Sequence, residues 1–179
     1  MELIERYLDG LLLIRPKVFG DHRGYFFESF NERRFAEVTG QVVRFVQDNE
    51  SRSARGVLRG LHIQARPHTQ AKLVRVVSGA VLDVCVDVRP DSPTRGRHVK
   101  VRLDAEDKTM LYVPPGFAHG FLTLEDGTVF TYKCSNYYEP ASERTLLWND
   151  PELGIDWEVA EPALSDKDRV GTPLADLSW

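Results

Sequence analysis

The stretch KLVRVVSGAVLDVCVDVR, residues 72–89, decides the fold. Its apolar side chains are mostly β-branched, and Ser78-Gly79 divides it into two runs too short to be helices, so it reads as two strands joined by a turn. In the second run Asp83, Cys85 and Asp87 fall on one face of the pleat. Acids on an apolar face need partners, so at least one of them is expected to orient a histidine or pair with a cation.

Working outward, the same texture recurs in LLLIRPKVF (11–19), GYFFESF (24–30), VVRFVQD (42–48), GVLRGLHIQ (56–64), HVKVRL (98–103), TMLYVP (109–114), GFLTL (120–124), TVFTYK (128–133) and RTLLW (144–148). Short strands at this spacing, separated by Gly, Pro and Asp, predict an all-β antiparallel sandwich or barrel. Two stretches compete as helix. Asn31 opens NERRFAEVT and Gly40 closes it, and Ser165 caps a single turn across SDKD. With no repeat, low-complexity segment or linker, residues 1–179 are expected to form one domain whose C-terminal segment packs back on the barrel.

Composition bounds the function. The chain has 179 residues and 23 Lys+Arg against 27 Asp+Glu, a net charge of −4, which argues against a general nucleic-acid binder. No run approaches the roughly 18 apolar residues of a membrane span, and MELIERYLDG lacks the basic-then-apolar start of a signal peptide. Cys85 and Cys134 lie in apolar runs without a CxxC pair, so reduced thiols and a cytoplasmic location are expected.

An antiparallel barrel leaves room inside for a small ligand, so inward polar residues are the ones to question. Strict alternation puts Leu58, His62 and Gln64 on one face and Val57, Arg59, Leu61 and Ile63 on the other. His62 is then either a satisfied half-buried histidine or part of a cavity wall. In PPGFAHGF (114–121) a turn delivers His119 between Phe117 and Phe121. Tyr132 shares its face with Phe130 and Cys134, where a phenol either caps a carbonyl or donates a proton. Lys72 faces with Val74 and Val76, so it either snorkels from a strand end or meets an anion. Asp168 has its own structural reading, as the acid three residues after a Ser165 cap.

PPGFAH resembles the second motif of the cupin barrels. The first cupin motif would supply two histidines and a glutamate for a metal, but here the positions read His62, Gln64, His68 and then Lys72, and no carboxylate completes the set. Jointly, FGDHRGYFFESF (19–30), FVQDNESRSARGVLRGLHIQ (45–64), the 72–96 stretch, VPPGFAHGF (113–121), YKCSNYYEPASE (132–143) and WNDPELGIDW (148–157) closely resemble the dTDP-4-dehydrorhamnose 3,5-epimerases, a family of metal-free cupins of jelly-roll fold. The likeness runs in one register from Arg15 to Leu174.

The resemblance implies inversion of C3 and C5 in a dTDP-4-keto-6-deoxyhexose, dTDP-4-dehydro-6-deoxy-D-glucose, to give dTDP-4-dehydro-L-rhamnose, without a cofactor. It makes His62 the base, Asp168 its partner, Tyr132 the proton donor from the opposite face and Lys72 the neutraliser of the enolate oxygen. His119, with Asp83, lines the same pocket. The family pattern puts Arg23 and Arg59 near the phosphates, Phe26, Glu28, Gln47, Asn49 and Tyr138 around the nucleoside, and Glu143 and Lys167 at further binding positions. Arg59 would reach the pocket only if Gly60 introduces a bulge. The early strand carrying Arg23 and Phe26 crosses to a neighbouring copy in the family, which implies a homodimer with strand exchange.

Three other readings stay open: a mono-epimerase on a related sugar, a metal-dependent cupin oxygenase or isomerase using His62, Gln64, His68 and His119, and a pocket that binds a nucleotide sugar without turning it over.

Overall fold

The computed structural model describes residues 1–178. Its strands are β1 (Glu2–Tyr7), β2 (Leu11–Arg15), β3 (Val18–Asp21), β4 (Gly24–Phe27), β5 (Gln47–Ser53), β6 (Leu58–Gln64), β7 (Lys72–Ser78), β8 (Ala80–Asp87), β9 (His98–Asp104), β10 (Met110–Val113), β11 (Phe117–Thr123), β12 (Thr128–Cys134) and β13 (Glu143–Thr145). Helix α1 (Glu32–Thr39) follows β4, and the one-turn α2 (Asp166–Arg169) lies near the C-terminus. One sheet has the order β1-β2-β10-β7-β12-β5, the second β13-β6-β11-β8-β9, and β3-β4 forms a separate hairpin. Every pairing between these strands is antiparallel, the expected cupin-type jelly roll.

Among the described residues, three apolar clusters hold the two sheets. Between them lie Val74, Val76, Val81, Cys85, Leu103, Leu111, Phe117, Phe121 and Phe130. On the outer side of the five-stranded sheet, Leu58, Leu61, Ile63, Leu82, Val84 and Val86 pack under Leu153, Trp157 and Leu174 of the C-terminal segment. The tail is also stitched on by the bridges Val57–Ala163 and Leu146–Thr172, so it does pack back on the barrel. Outside the six-stranded sheet, Leu12, Ile14, Leu73, Met110 and Tyr112 are covered by Phe35 of α1. That helix starts and stops as its sequence indicates, with the Asn31 side chain accepting from Arg34 N and Gly40 left-handed at φ 72°. β8 is buried along its whole length because one face points between the sheets and the other lies under the tail.

Several boundaries differ from expectation. Pro16 splits LLLIRPKVF into β2 and β3, since proline cannot donate to a ladder. RTLLW contributes only the end of β13. VVRFVQD is not a strand: the chain enters the sheet at Gln47 and continues through the polar NESRS. β1 also went unread, being an edge strand whose side chains are largely exposed.

The alternation expected for β6 fails at Gly60. His62 pairs with His119 but Arg59 pairs with Phe121, so β6 spends one more residue than β11 over this interval. Leu58 therefore packs with Leu61 and Ile63 in the outer cluster instead of sharing the face of His62 and Gln64. Gly60 sits at φ +124°, where a Cβ would lie 2.6 Å from Gly120 Cα, so the bulge requires glycine.

Candidate active site

A cavity of about 400 Å³ opens between the sheets, lined among others by Arg59, His62, Lys72, His119, Phe130, Tyr132, Ser165 and Asp168. A recess of about 240 Å³ adjoins it, sharing His62, Lys72, Tyr132, Tyr138 and Glu143 and adding Gln47, Asn49 and Gln64. The bulge at Gly60 brings Arg59 to the same cavity as His62.

His62 Nε2 lies 2.6 Å from Asp168 Oδ1. The other carboxylate oxygen of Asp168 accepts from Ser165 Oγ at 2.8 Å, and Ser165 Oγ in turn accepts from the Asp168 amide at 3.2 Å. The cap and the histidine partner are thus one arrangement: the single turn of α2 fixes Asp168, and the docked tail aims it at His62. Burial works against ionisation of Asp168, but the bonds from His62 and Ser165 and the nearby charges outweigh it and hold the carboxyl below its ordinary value of 3.8. Among the described residues, His62 Nδ1 is the ring nitrogen without a hydrogen-bond partner.

A second histidine stands beside the first, as the strand partner of His62 on β11. Its Nε2 meets both oxygens of Asp83, at 3.0 and 2.9 Å, and its ring stacks near Phe130. The expectation that an acid of β8 orients a histidine is met by Asp83. Asp87 meets the other expectation, holding Arg89, Ser92 and Thr94 at the far end of the strand.

Lys72 and Tyr132 come from the opposite sheet. The Lys72 Nζ lies 6.0 Å from the Tyr132 ring centroid, and among the described residues no carboxylate approaches it within 4 Å. Burial pushes the ammonium below 10.5, and the fields of Asp83 and Glu143 offset this only in part. Burial also pushes the Tyr132 phenol above 10, against the opposing charge of Arg59, so it stays protonated at neutral pH. At the rim Lys167 pairs with Glu143 at 2.7 Å and Tyr138 donates to the same carboxylate at 3.0 Å. Burial opposes ionisation of Glu143, but these bonds leave it below 4.5.

The residues of the metal reading do not converge. Gln64 accepts from Glu139 N at 2.9 Å, and His68 meets Ser142 Oγ at 2.9 Å, so both hold the 139–142 turn. Asp83, Cys85 and His119 do lie within 4.8 Å of one another. There, however, His119 already spends Nε2 on Asp83, and burial keeps the Cys85 thiol protonated well above its usual range, a poor donor set for a soft ion.

The family model for dTDP-4-dehydrorhamnose 3,5-epimerase matches residues 5–176. The chain belongs to this epimerase family. It is 54% identical over 170 residues to the dTDP-4-dehydrorhamnose 3,5-epimerase of Pseudomonas aeruginosa, covering 94% of this chain and 93% of that protein. It is 50% identical over 179 residues to the enzyme of the same name from Shigella flexneri, covering 100% and 99%. The crystal structure of the Legionella pneumophila 3,5-epimerase in complex with dTDP-4-keto-L-rhamnose superposes with a TM-score of 0.95 at 48% identity, over 99% of this chain and 94% of that one. As a member of the 3,5-epimerase family the protein is an enzyme, an isomerase.

Within this epimerase, three residues that the family pattern assigns to the ligand lie outside the cavity of the single chain. Arg23 pairs with Asp21 on the β3-β4 hairpin, Phe26 is 68% exposed beside it, and Glu28 accepts from Asn31 Nδ2 at 3.0 Å. Phe19 and Tyr25 of the same hairpin are also exposed. Sequence reading missed Ser51 and Ser53, which line or brace the cavity from β5. Their signal was the period-two alternation of N-E-S-R-S, visible only when polar residues are allowed to face inward.

Proposed function

We propose that this enzyme inverts C3 and C5 of dTDP-4-dehydro-6-deoxy-D-glucose to give dTDP-4-dehydro-L-rhamnose. The observation that carries the assignment of roles is topological. His62 stands on β6 of one sheet while Tyr132 and Lys72 stand on β12 and β7 of the facing sheet, so a hexose held between them meets a base on one side and a phenol on the other.

Both carbons flank the C4 ketone. His62 Nδ1 takes the proton from C5 or C3, the C–H electron pair becomes the enolate, and the charge gathers on O4 near the Lys72 ammonium. Asp168 steadies the imidazolium that results. Tyr132 returns a proton to the opposite face, which inverts the centre; Tyr132 then regains a proton from solvent and His62 gives its own up to solvent, so that the pair is reset for the second carbon. Protons are exchanged and no net oxidation occurs, so the reaction requires no redox cofactor. His119, held by Asp83, supports the electrostatics of the same pocket. Arg59 takes the diphosphate, and Gln47, Asn49 and Tyr138, with Glu143 and Lys167 at the rim, surround the nucleoside.

The reading includes a homodimer in which the exposed hairpin carries Arg23, Phe26 and Glu28 to the partner's pocket, each chain acting as one domain. It also includes a cytoplasmic setting, supported by two free cysteines. No helix of the described residues is long and apolar enough to cross a membrane.

The test is incubation of dTDP-4-dehydro-6-deoxy-D-glucose with the enzyme in D2O, with deuterium read at each carbon. Label at C3 and C5 supports the proposal. Label at one carbon makes the protein a mono-epimerase, and label at neither leaves a pocket that binds without turnover.

A further inference from the structure

The β5-β6 corner, where the chain passes from one sheet to the other, contains a bond that the chemistry above does not use. Ser53 is the last residue of β5 and is 7% exposed. Its Oγ accepts from Arg59 Nε at 3.0 Å. The bond runs from the edge of the six-stranded sheet to the five-stranded sheet, at the rim of the cavity. Arg59 is otherwise exposed and makes no ion pair among the described residues.

A guanidinium recognises a diphosphate through its planar fork, and it does so most effectively when its rotamers are already restricted. Engaging Nε fixes the plane of the group, and among the described residues neither terminal nitrogen has a hydrogen-bond partner. A hydroxyl suits this task. A carboxylate at the same place would neutralise the charge and compete with phosphate, whereas a neutral acceptor orients the cation without quenching it. The Gly60 bulge turns Arg59 toward the cavity, and among the described residues the bond to Ser53 is what fixes the angle of its head.

We propose that Ser53 is a positioning residue for nucleotide recognition: it pre-orients Arg59 so that the two terminal guanidinium nitrogens are presented to the diphosphate of the substrate. This rests on the reading of Arg59 as the diphosphate ligand.

The experiment is a double-mutant cycle on the full-length enzyme, with dTDP as the probe and calorimetric Kd as the first readout, and kcat and KM as the second. Ser53→Ala is expected to weaken dTDP by about three- to tenfold and to raise KM in step, with kcat within about twofold, as the cost of ordering one more long side chain on binding would do. Ser53→Thr keeps the acceptor and should restore the affinity. In an Arg59→Ala background, Ser53→Ala should change Kd by less than about twofold, because the serine acts only through the arginine.

Unchanged affinity in Ser53→Ala while Arg59→Ala binds weakly overturns the inference and leaves the reading of Arg59 intact. Unchanged affinity in Arg59→Ala overturns that reading, and the inference falls with it. A Ser53→Ala defect that persists in the Arg59→Ala background, or one that lowers kcat with an equal drop in melting temperature, makes Ser53 a brace of the corner and refutes the positioning role.

Discussion

Replacing Asp168 by asparagine keeps the shape of the His62 partner and removes its charge. The side chain serves two neighbours, His62 Nε2 at 2.6 Å through Oδ1 and Ser165 Oγ at 2.8 Å through Oδ2. An amide has one acceptor and one donor end. Because the Ser165 hydroxyl donates, the amide oxygen turns toward Ser165 and the NH2 toward His62. Nε2 must then present a lone pair, the hydrogen moves to Nδ1, and the nitrogen facing the cavity is no longer a base. Losing a charge-assisted bond alone costs about 1.5–3 kcal/mol. At about 1.4 kcal/mol per decade that is roughly 10- to 150-fold in rate. The wrong tautomer adds to this, and the same exchange in serine-protease triads lowers kcat by about 10⁴. The expected loss in kcat for Asp168→Asn is therefore at least about 10²-fold, with deuterium exchange at C3 and C5 falling in parallel. The cap survives, so the melting temperature should move by less than about 4 °C, the equivalent of roughly 1 kcal/mol at this size. Activity within about threefold of the parent would refute the reasoning. So would a rate loss that simply tracks unfolding, which would leave Asp168 as a helix cap alone.

Tyr132→Phe removes the acid and leaves the base, so wash-in of deuterium should persist while inversion falls by about 10²-fold or more; product stereochemistry read by NMR checks it, and equal loss of both would argue against two-face chemistry. Lys72 is held below 10.5 by burial, so the alkaline limb of kcat should lie below the free-lysine value, and Lys72→Arg, if it turns over at all, should move that limb up. A pH profile of the variant with an unmoved limb would exclude Lys72 as the group titrating. Burial opposes the charge on Asp87, but bonds from Arg89, Ser92 and Thr94 bring its carboxyl from 3.8 down to about 2. A depressed acid stabilises the fold fully above 3.8 and progressively loses that contribution as pH falls toward 2. Asp87→Ala should cost about 2–3 kcal/mol at pH 7, which is what the fall from 3.8 to about 2 is worth at about 1.4 kcal/mol per tenfold, because Arg89, Ser92 and Thr94 lose their shared acceptor, and the gap in melting temperature from the parent should close toward pH 2; a gap independent of pH would mean that packing, not charge, holds this end of the barrel.

What could be read from the sequence follows from which faces are apolar. β8 announced itself because both of its faces are buried, and α1 because Asn31 and Gly40 bound it. β5 did not, since its inner face lines a polar cavity and its outer face carries charges, so it has no hydrophobic period to detect. Parity placed Lys72 and Tyr132 on the inner face because β7 and β12 stay in register from Lys72 to Val76, the irregularity between them lying beyond, at Val77. The same rule failed on β6, where one extra residue at Gly60 moves Leu58 and Arg59 to the faces opposite those expected. Asp168 was ambiguous for another reason. Its two partners are 3 and 106 residues away in sequence, and only the nearer one is visible without the fold.

The two halves of the proposed reaction are supported by different parts of the core. Lys72 stands on a strand whose outward Leu73 packs under α1, and Tyr132 on the strand paired with it, while His62 stands on a strand whose outer face lies beneath the C-terminal segment. That segment also delivers Asp168, through a one-turn helix too short to be stable by itself. The helix therefore owes its position to the bridges at Ala163 and Thr172 and to Leu174 in the outer cluster. Docking of the tail is thus the step that completes the base, whereas the cation and the phenol are in place once the sheets have closed. A chain whose tail had frayed would keep the cavity, the ammonium and the phenol, and it would lack the carboxylate that makes His62 a directed base.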